Sequence, residues 1–105
     1  MEESQFYDLV DHALSTIEDA VEDSGFDIDI ENVGGVLTFV FPNETQIIIN
    51  RQTPTRQIWV ATKSGGYHLN YDQDLEIWEQ DGIELFTLLS RECSEQAGTA
   101  INLSK

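Results

Sequence analysis

The chain has 105 residues, a length that suits one compact domain spanning residues 1–105. Because 40% of the residues are hydrophobic, the sequence lies outside the disordered class despite a formal net charge of -15. So negative a chain repels nucleic acids and anionic membranes, and its expected partners are cations or a basic protein surface.

The first predicted element is an amphipathic helix over residues 4–23. Its apolar face consists of Phe6, Leu9, Val10, Ala13, Ile17, Ala20 and Val21. The opposite face is acidic, and Glu18 and Glu22 are four residues apart, so their like charges are neighbours. The first basic residue, Arg51, comes only after 12 acidic residues. Repulsion left uncompensated in this way predicts that a cation or a basic partner completes the surface. The alternative is a solvated face that only confers solubility.

The acidic surface extends into the first predicted strand, residues 26–32. Ile28 and Ile30 alternate there with Asp27, Asp29 and Glu31, so the acids share one face. Carboxylates suit hard cations such as Mg²⁺, Ca²⁺, Mn²⁺ and iron, and the spacing does not distinguish among them. Because these ligands form no cage, we expect weak and solvent-exposed binding.

A meander of about six short strands is predicted, ending near residue 79. The later strands cover 36–41, 45–50, 57–62, 67–71 and 75–79, separated by glycine- and proline-containing turns. Such short connections favour antiparallel hairpins over parallel crossovers.

Trp59 is the strongest candidate for a binding residue on the sheet. Its neighbours Ile58 and Val60 are β-branched and predicted to face the core, so Trp59 points to the other side of the strand. An exposed tryptophan is typical of a protein interface. The alternative is packing against a neighbouring aromatic residue such as Trp78.

A second helix is predicted near residues 83–95, opened by Asp81-Gly82. Its apolar stripe includes Cys93, the only cysteine, which predicts a buried inert thiol and, with the acidic N-terminus, a cytoplasmic protein. Each helix has one apolar stripe. We therefore predict the α+β class: a two-layer α/β sandwich with two helices on one face of an antiparallel sheet of about six strands.

The segment from Asn50 to Ala61, NRQTPTRQIWVA, followed by Gly65-Gly66-Tyr67-His68, resembles the signature of the frataxin family in its bacterial form. The acidic first helix and the Gly34–Thr38 segment match as well, and the resemblance covers essentially the whole chain. One departure is that the family's last strand carries tryptophan where this chain has Glu76. Trp78 follows two residues later, so we expect it to keep the same strand face and only displace the aromatic patch.

The resemblance implies an iron-binding adaptor or regulator of iron-sulfur cluster assembly. It implies weak, reversible Fe²⁺ and Fe³⁺ binding to Glu18, Asp19, Glu22, Asp23, Asp27 and Asp29. It further implies docking on a cysteine desulfurase and its scaffold protein through Asn50, Gln57 and Trp59. We expect a monomer, and iron-driven oligomerisation stays open.

Two other functions compete with this one. A weak ferroxidase or iron-storage protein is the first, but a buried dinuclear site needs inward-facing Glu and His ligands, and the acids here face outward. We therefore predict no enzyme activity. An acidic nucleic-acid mimic is the second, and it would leave the Trp59 segment unexplained.

Overall fold

The computed structural model describes all 105 residues as a seven-stranded antiparallel sheet with a helix before it and a helix after it. The elements are α1 (Glu3–Asp23), β1 (Asp29–Val33), β2 (Val36–Val40), β3 (Gln46–Gln52), β4 (Gln57–Ala61), β5 (Gly66–Asp72), β6 (Ile77–Gln80), β7 (Ile83–Glu84) and α2 (Leu85–Ala97). The strands are neighbours in chain order, and every pair is antiparallel. Connections this short are compatible with antiparallel pairs but not with the longer crossovers that parallel strands require.

One core joins both helices to one face of the sheet. The buried stripe of α1 comprises Phe6, Val10, Ala13, Leu14, Ile17, Ala20 and Val21. Alternate strand residues, from Leu37 in β2 to Trp78 in β6, meet this stripe and that of α2 in a single cluster of 24 buried residues. The intervening strand residues form the opposite, helix-free side, which we call the open face. The predicted two-layer α+β sandwich is confirmed.

The second helix begins at Leu85 because Asp81-Gly82 is a hairpin turn and not a helix start. Both residues have positive φ, 52° and 83°, as a two-residue hairpin turn of type I′ requires. The turn joins β6 to β7, which adds a seventh strand to the six predicted. Glu84 then caps α2, its carboxylate accepting the backbone N–H groups of Phe86 at 2.8 Å and Thr87 at 3.2 Å.

Strand β6 begins at Ile77, two residues later than predicted. The preceding residues form a turn in which the Asp72 carboxylate accepts the backbone N–H of Leu75 at 3.0 Å. Glu76 takes a φ of 55°, a left-handed conformation that does not continue a strand. Glu76 is therefore a turn residue in this chain.

Trp78 lies in the core, so the prediction of a displaced aromatic patch on the open face is wrong. It pairs with Tyr71 across the two strands and is 5% exposed. Its indole meets the rings of Phe6 and Tyr71 edge-on, with centroids 6.1 Å and 5.2 Å apart. Trp59 consequently has no second tryptophan beside it.

The C-terminal tail is attached to α2 by two serine side chains. The Ser90 hydroxyl bonds to the backbone N–H and C=O of Leu103, and the Ser94 hydroxyl bonds to those of Ile101. Ile101 and Leu103 are buried. No helix in the structure combines the length and the apolar character needed to cross a membrane.

Candidate metal-binding ridge and docking surface

The six carboxylates predicted to bind metal come from two consecutive elements and the segment between them. Four lie on the last two turns of α1, one in the connection and one at the start of β1: Glu18, Asp19, Glu22, Asp23, Asp27 and Asp29. We call these six residues the acidic ridge. Five are exposed and Glu18 is half-buried, so the ridge presents its oxygens to solvent.

The ridge makes one side-chain hydrogen bond to a neighbouring residue and has no basic partner. The Asn32 side-chain amide donates to the Glu18 carboxylate at 2.7 Å, which ties α1 to β1. The two ion pairs of the protein, Arg51 with Asp11 and Arg91 with Glu92, lie outside the ridge. No three His, Cys, Asp or Glu side chains converge closely enough to enclose a metal ion. Open carboxylates of this kind suit labile, solvated binding of hard cations.

Arg51 compensates one carboxylate in the N-terminal half of α1, a contact that was not predicted from the sequence. Its guanidinium lies 4.4 Å from the centre of the Tyr7 ring and 3.7 Å from the Asp11 carboxylate. Gly35 makes room for it, because a Cβ there would lie 2.9 Å from the guanidinium carbon. Strand alternation with Ile49 could have revealed the contact, since it places Arg51 on the core face, toward the helices. Asp11 is thereby the one α1 carboxylate with a basic partner, and the four ridge carboxylates on α1 have none.

Trp59 points to the open face, as predicted. Ile58 and Val60 are buried on the other side, 0% and 1% exposed, whereas Trp59 is half-buried. Asn50 and His68 flank Trp59 on the neighbouring strands. The Trp59 and His68 rings stack with centroids 4.2 Å apart and planes 16° apart. His68, rather than another tryptophan, is therefore its aromatic neighbour.

The three predicted docking residues are brought together on this face. The Trp59 indole N–H donates to the Gln57 side-chain oxygen at 2.8 Å, and the Gln57 amide donates to Asn70 at 3.1 Å. Asn50 sits directly across from Trp59 in the register. Beside the indole lies a shallow cavity of about 160 Å³, lined by Ile48, Asn50, Trp59, Val60, Ala61, Gly66, Tyr67 and His68. We call Asn50, Gln57 and Trp59 the docking surface.

Cys93 is fully buried, which confirms the prediction for the thiol's location. Burial, with a smaller contribution from the Glu92 carboxylate, raises the pKa of the thiol to about 12. A thiol with so high a pKa is almost never a thiolate at neutral pH, so it is a poor nucleophile and metal ligand.

The whole chain is similar to known frataxins. Residues 1–99 match the family model described as a frataxin-like domain. The chain is 50% identical to the iron-sulfur cluster assembly protein CyaY of Pseudomonas aeruginosa over 100 residues, 93% of each chain. It is 46% identical to that of Photobacterium profundum over 104 residues, 99% of each.

Two solved structures share the fold. Frataxin from Psychromonas ingrahamii superposes with a TM-score of 0.90 at 36% identity, over 100% of both chains. Trimeric frataxin from the yeast Saccharomyces cerevisiae, complexed with ferrous iron, superposes with a TM-score of 0.65 at 29% identity. That match covers 94% of this chain and 88% of the yeast chain.

Proposed function

The chain belongs to the frataxin family, and from that premise we propose that it is a non-enzymatic iron-binding adaptor of iron-sulfur cluster assembly. In this proposal the acidic ridge binds Fe²⁺ and Fe³⁺ weakly and reversibly. The docking surface contacts a cysteine desulfurase and its scaffold protein. The observation that carries the proposal is the pairing of two distinct surfaces, one acidic and one aromatic, on a chain whose relatives are cluster assembly proteins.

The ridge supports the iron-binding half of this proposal. Its six carboxylates are hard oxygen donors, and none forms an ion pair with a basic side chain. A cation would relieve their mutual repulsion, and open geometry would let it leave again. Reversible binding is what a protein that hands iron on requires.

The docking surface supports the partner half. A half-buried tryptophan already held by a stacked histidine and a hydrogen bond loses little side-chain entropy when a partner covers it. The cavity beside it can receive a partner side chain. Aromatic anchors next to such pockets typically carry much of the energy of an interface.

The arrangement of carboxylates supports a role without catalysis. A diiron oxidation site in a protein needs Glu and His ligands that converge from facing elements. Here the ridge acids point to solvent, and the one buried carboxylate, Glu92, accepts hydrogen bonds from hydroxyl groups. We propose that any oxidation of iron on the ridge is incidental.

Iron titration followed by NMR tests the ridge. In the wild type, paramagnetic broadening should centre on residues 18–29. The ridge variant E18Q/D19N/E22Q/D23N should lose most of it while keeping its fold, because three of these side chains are exposed and a glutamine at position 18 can still accept the Asn32 hydrogen bond. A matched control, E44Q/D74N/E76Q/D81N, removes four exposed charges elsewhere and should broaden like the wild type. Equal losses in both variants would mean that net charge, and not the ridge, attracts iron.

Desulfurase binding tests the docking surface. Trp59→Ala should weaken binding about thirtyfold, because a central aromatic anchor typically contributes about 2 kcal/mol. Gln46→Ala, at an exposed position of the neighbouring strand β3, should bind normally. The ridge variant should instead flatten the dependence of association on salt, as expected of charges facing a basic partner. Undiminished binding by Trp59→Ala would refute the assignment of this surface.

A further inference from the structure

One charged group outside both proposed surfaces lies in the core: the carboxylate of Glu92. It is 2% exposed, the only charged side chain that is buried. Its position on α2 is seven residues after Leu85 and three after Leu89, so it falls within the apolar stripe of the helix. A buried carboxylate is costly unless several donors surround it, so its partners indicate what it does.

Three of those partners lie in the β4–β5 hairpin, two in its loop and one on β5, and the fourth is the neighbouring residue on α2. One carboxylate oxygen accepts hydrogen bonds from the hydroxyls of Thr62 at 2.7 Å, Ser64, and Tyr67 at 3.3 Å. The other accepts the guanidinium N–H of Arg91 at 3.3 Å. Burial raises the pKa of the Glu92 carboxyl, but the hydrogen bonds from Ser64, Thr62 and Arg91 outweigh it and hold the pKa below its ordinary value.

The next turn of α2 holds the same loop a second time. The Gln96 side-chain oxygen accepts the backbone N–H of Lys63 at 2.9 Å. Its amide group donates to the Thr45 hydroxyl at 3.0 Å and to the Gln46 carbonyl at 3.1 Å. The loop between β4 and β5 is thus hydrogen-bonded to α2 through three consecutive loop residues, 62–64.

The fastened residues adjoin the stacked rings of the open face. Thr62 immediately follows β4, three residues after Trp59, and Tyr67 immediately precedes His68 on β5. The Thr62 backbone N–H also closes the hairpin onto Gly65 at 2.8 Å. Because Trp59 and His68 are directly opposed in the register, the relative position of the two arms sets how their rings overlap.

We propose that Glu92 is a positioning residue for the open face: by holding the loop next to the end of β4 and Tyr67 on β5 from the core side, it fixes the stacked geometry of Trp59 and His68. The effect on ring geometry stands by itself. Its effect on desulfurase binding rests on the proposed function.

Glu92→Gln tests this inference with the shape of the side chain kept. Because Arg91 can only donate, the amide oxygen would face Arg91, and the amide nitrogen would face the three hydroxyls and could no longer accept their hydrogens. We expect hydrogen exchange at the Thr62 backbone N–H to rise about tenfold, because a hydrogen bond to a charged group typically contributes that factor or more. We also expect the Trp59 indole N–H resonance to shift and the Trp59–His68 ring contacts to weaken.

Ser94→Ala is the matched control for a merely structural role. It removes hydrogen bonds between the same helix and the tail, at Ile101, and does not touch the hairpin. It should lower global stability and leave the Trp59 indole resonance unmoved. If Glu92→Gln fails to fold, Ser64→Ala, at an exposed loop position, replaces it in the test. This variant should shift the Trp59 indole resonance by a smaller amount than Glu92→Gln. Ring geometry that is unchanged in a folded Glu92→Gln protein, or changed equally in Ser94→Ala, would overturn the inference.

Desulfurase binding separates this inference from the proposed function. Glu92→Gln should weaken binding about threefold to tenfold, less than Trp59→Ala, because the rings remain but lose their fixed orientation. If the rings move and neither variant alters binding, Glu92 keeps its positioning role and the docking assignment fails. If Trp59→Ala abolishes binding and Glu92→Gln leaves the rings in place, the docking assignment stands and the positioning role fails.

Discussion

The two tryptophans lie on opposite sides of the sheet, and truncating each of them should have sharply different costs. Trp78 is 5% exposed and packed against Phe6 and Tyr71. Replacing a buried tryptophan by alanine typically costs about 3–5 kcal/mol in transfer and cavity energy. That is a large part of the roughly 5–15 kcal/mol by which a domain is stable.

Trp59 should cost much less to remove. Its stack on His68 is worth about 0.5–1.5 kcal/mol. Its hydrogen bond to Gln57 lies at a partly exposed site, where about 0.5 kcal/mol is a fair value. Loss of these two interactions costs about 1–2 kcal/mol beyond the partial burial of the ring, which corresponds to a melting temperature lower by roughly 4–16 °C. For Trp78→Ala the corresponding decrease is at least about 12 °C.

Urea unfolding followed by far-ultraviolet circular dichroism measures the free energy of unfolding of both variants without depending on tryptophan fluorescence. If the free energy of unfolding falls with urea concentration at the same slope in the wild type and both variants, the comparison concerns stability alone. Trp59→Ala losing as much stability as Trp78→Ala would place Trp59 in the core and remove it from any docking role. Trp78→Ala losing less than about 1.5 kcal/mol would contradict the burial on which this estimate rests.

Three further predictions concern the charged and ionisable groups. Salt and divalent cations should raise the melting temperature of the wild type, and raise that of the ridge variant less, because the variant has less repulsion to screen. The pKa of Glu92 is lowered in the folded state, so its contribution to stability is present above the ordinary value of 4.5 and is lost as pH falls through the folded value. The stability difference between wild type and Glu92→Gln should therefore shrink in urea titrations below about pH 4.5. Cys93, whose thiol pKa is raised to about 12, should react with a thiol reagent only as fast as the protein opens. A rapid reaction in the absence of denaturant would contradict its burial.

Much of the fold was predictable because its signals are local. The stripe from Phe6 to Val21 identifies α1, and Gly34-Gly35 identifies the first hairpin. The errors arose where one signal suits two structures. Asp81-Gly82 opens a helix in some chains and turns a hairpin in others, and only the pairing of β6 with β7 decides.

The errors and omissions at the candidate site have a similar origin. The prediction for the face of Trp78 depended on whether Glu76 belongs to the strand. Glu76 has a left-handed φ because it lies in a turn, and the sequence does not distinguish this turn from a strand. Glu92 could have been recognised from helical periodicity, since it lies in register with Leu85 and Leu89. Its hydroxyl partners on the hairpin could not, because they are 25 to 30 residues away in the chain.

The contacts of α2 with earlier parts of the chain also determine at which point of its synthesis the protein can complete its fold. Its side chains reach back to much earlier parts of the chain, Gln96 to Thr45 across 51 residues and Glu92 to Thr62 across 30. A growing chain therefore carries α1 and all seven strands before the residues that cover the rest of the core face exist. Exposed apolar surface on incomplete chains favours aggregation. Translation that stops before α2 should leave an aggregating sheet and not a smaller working protein.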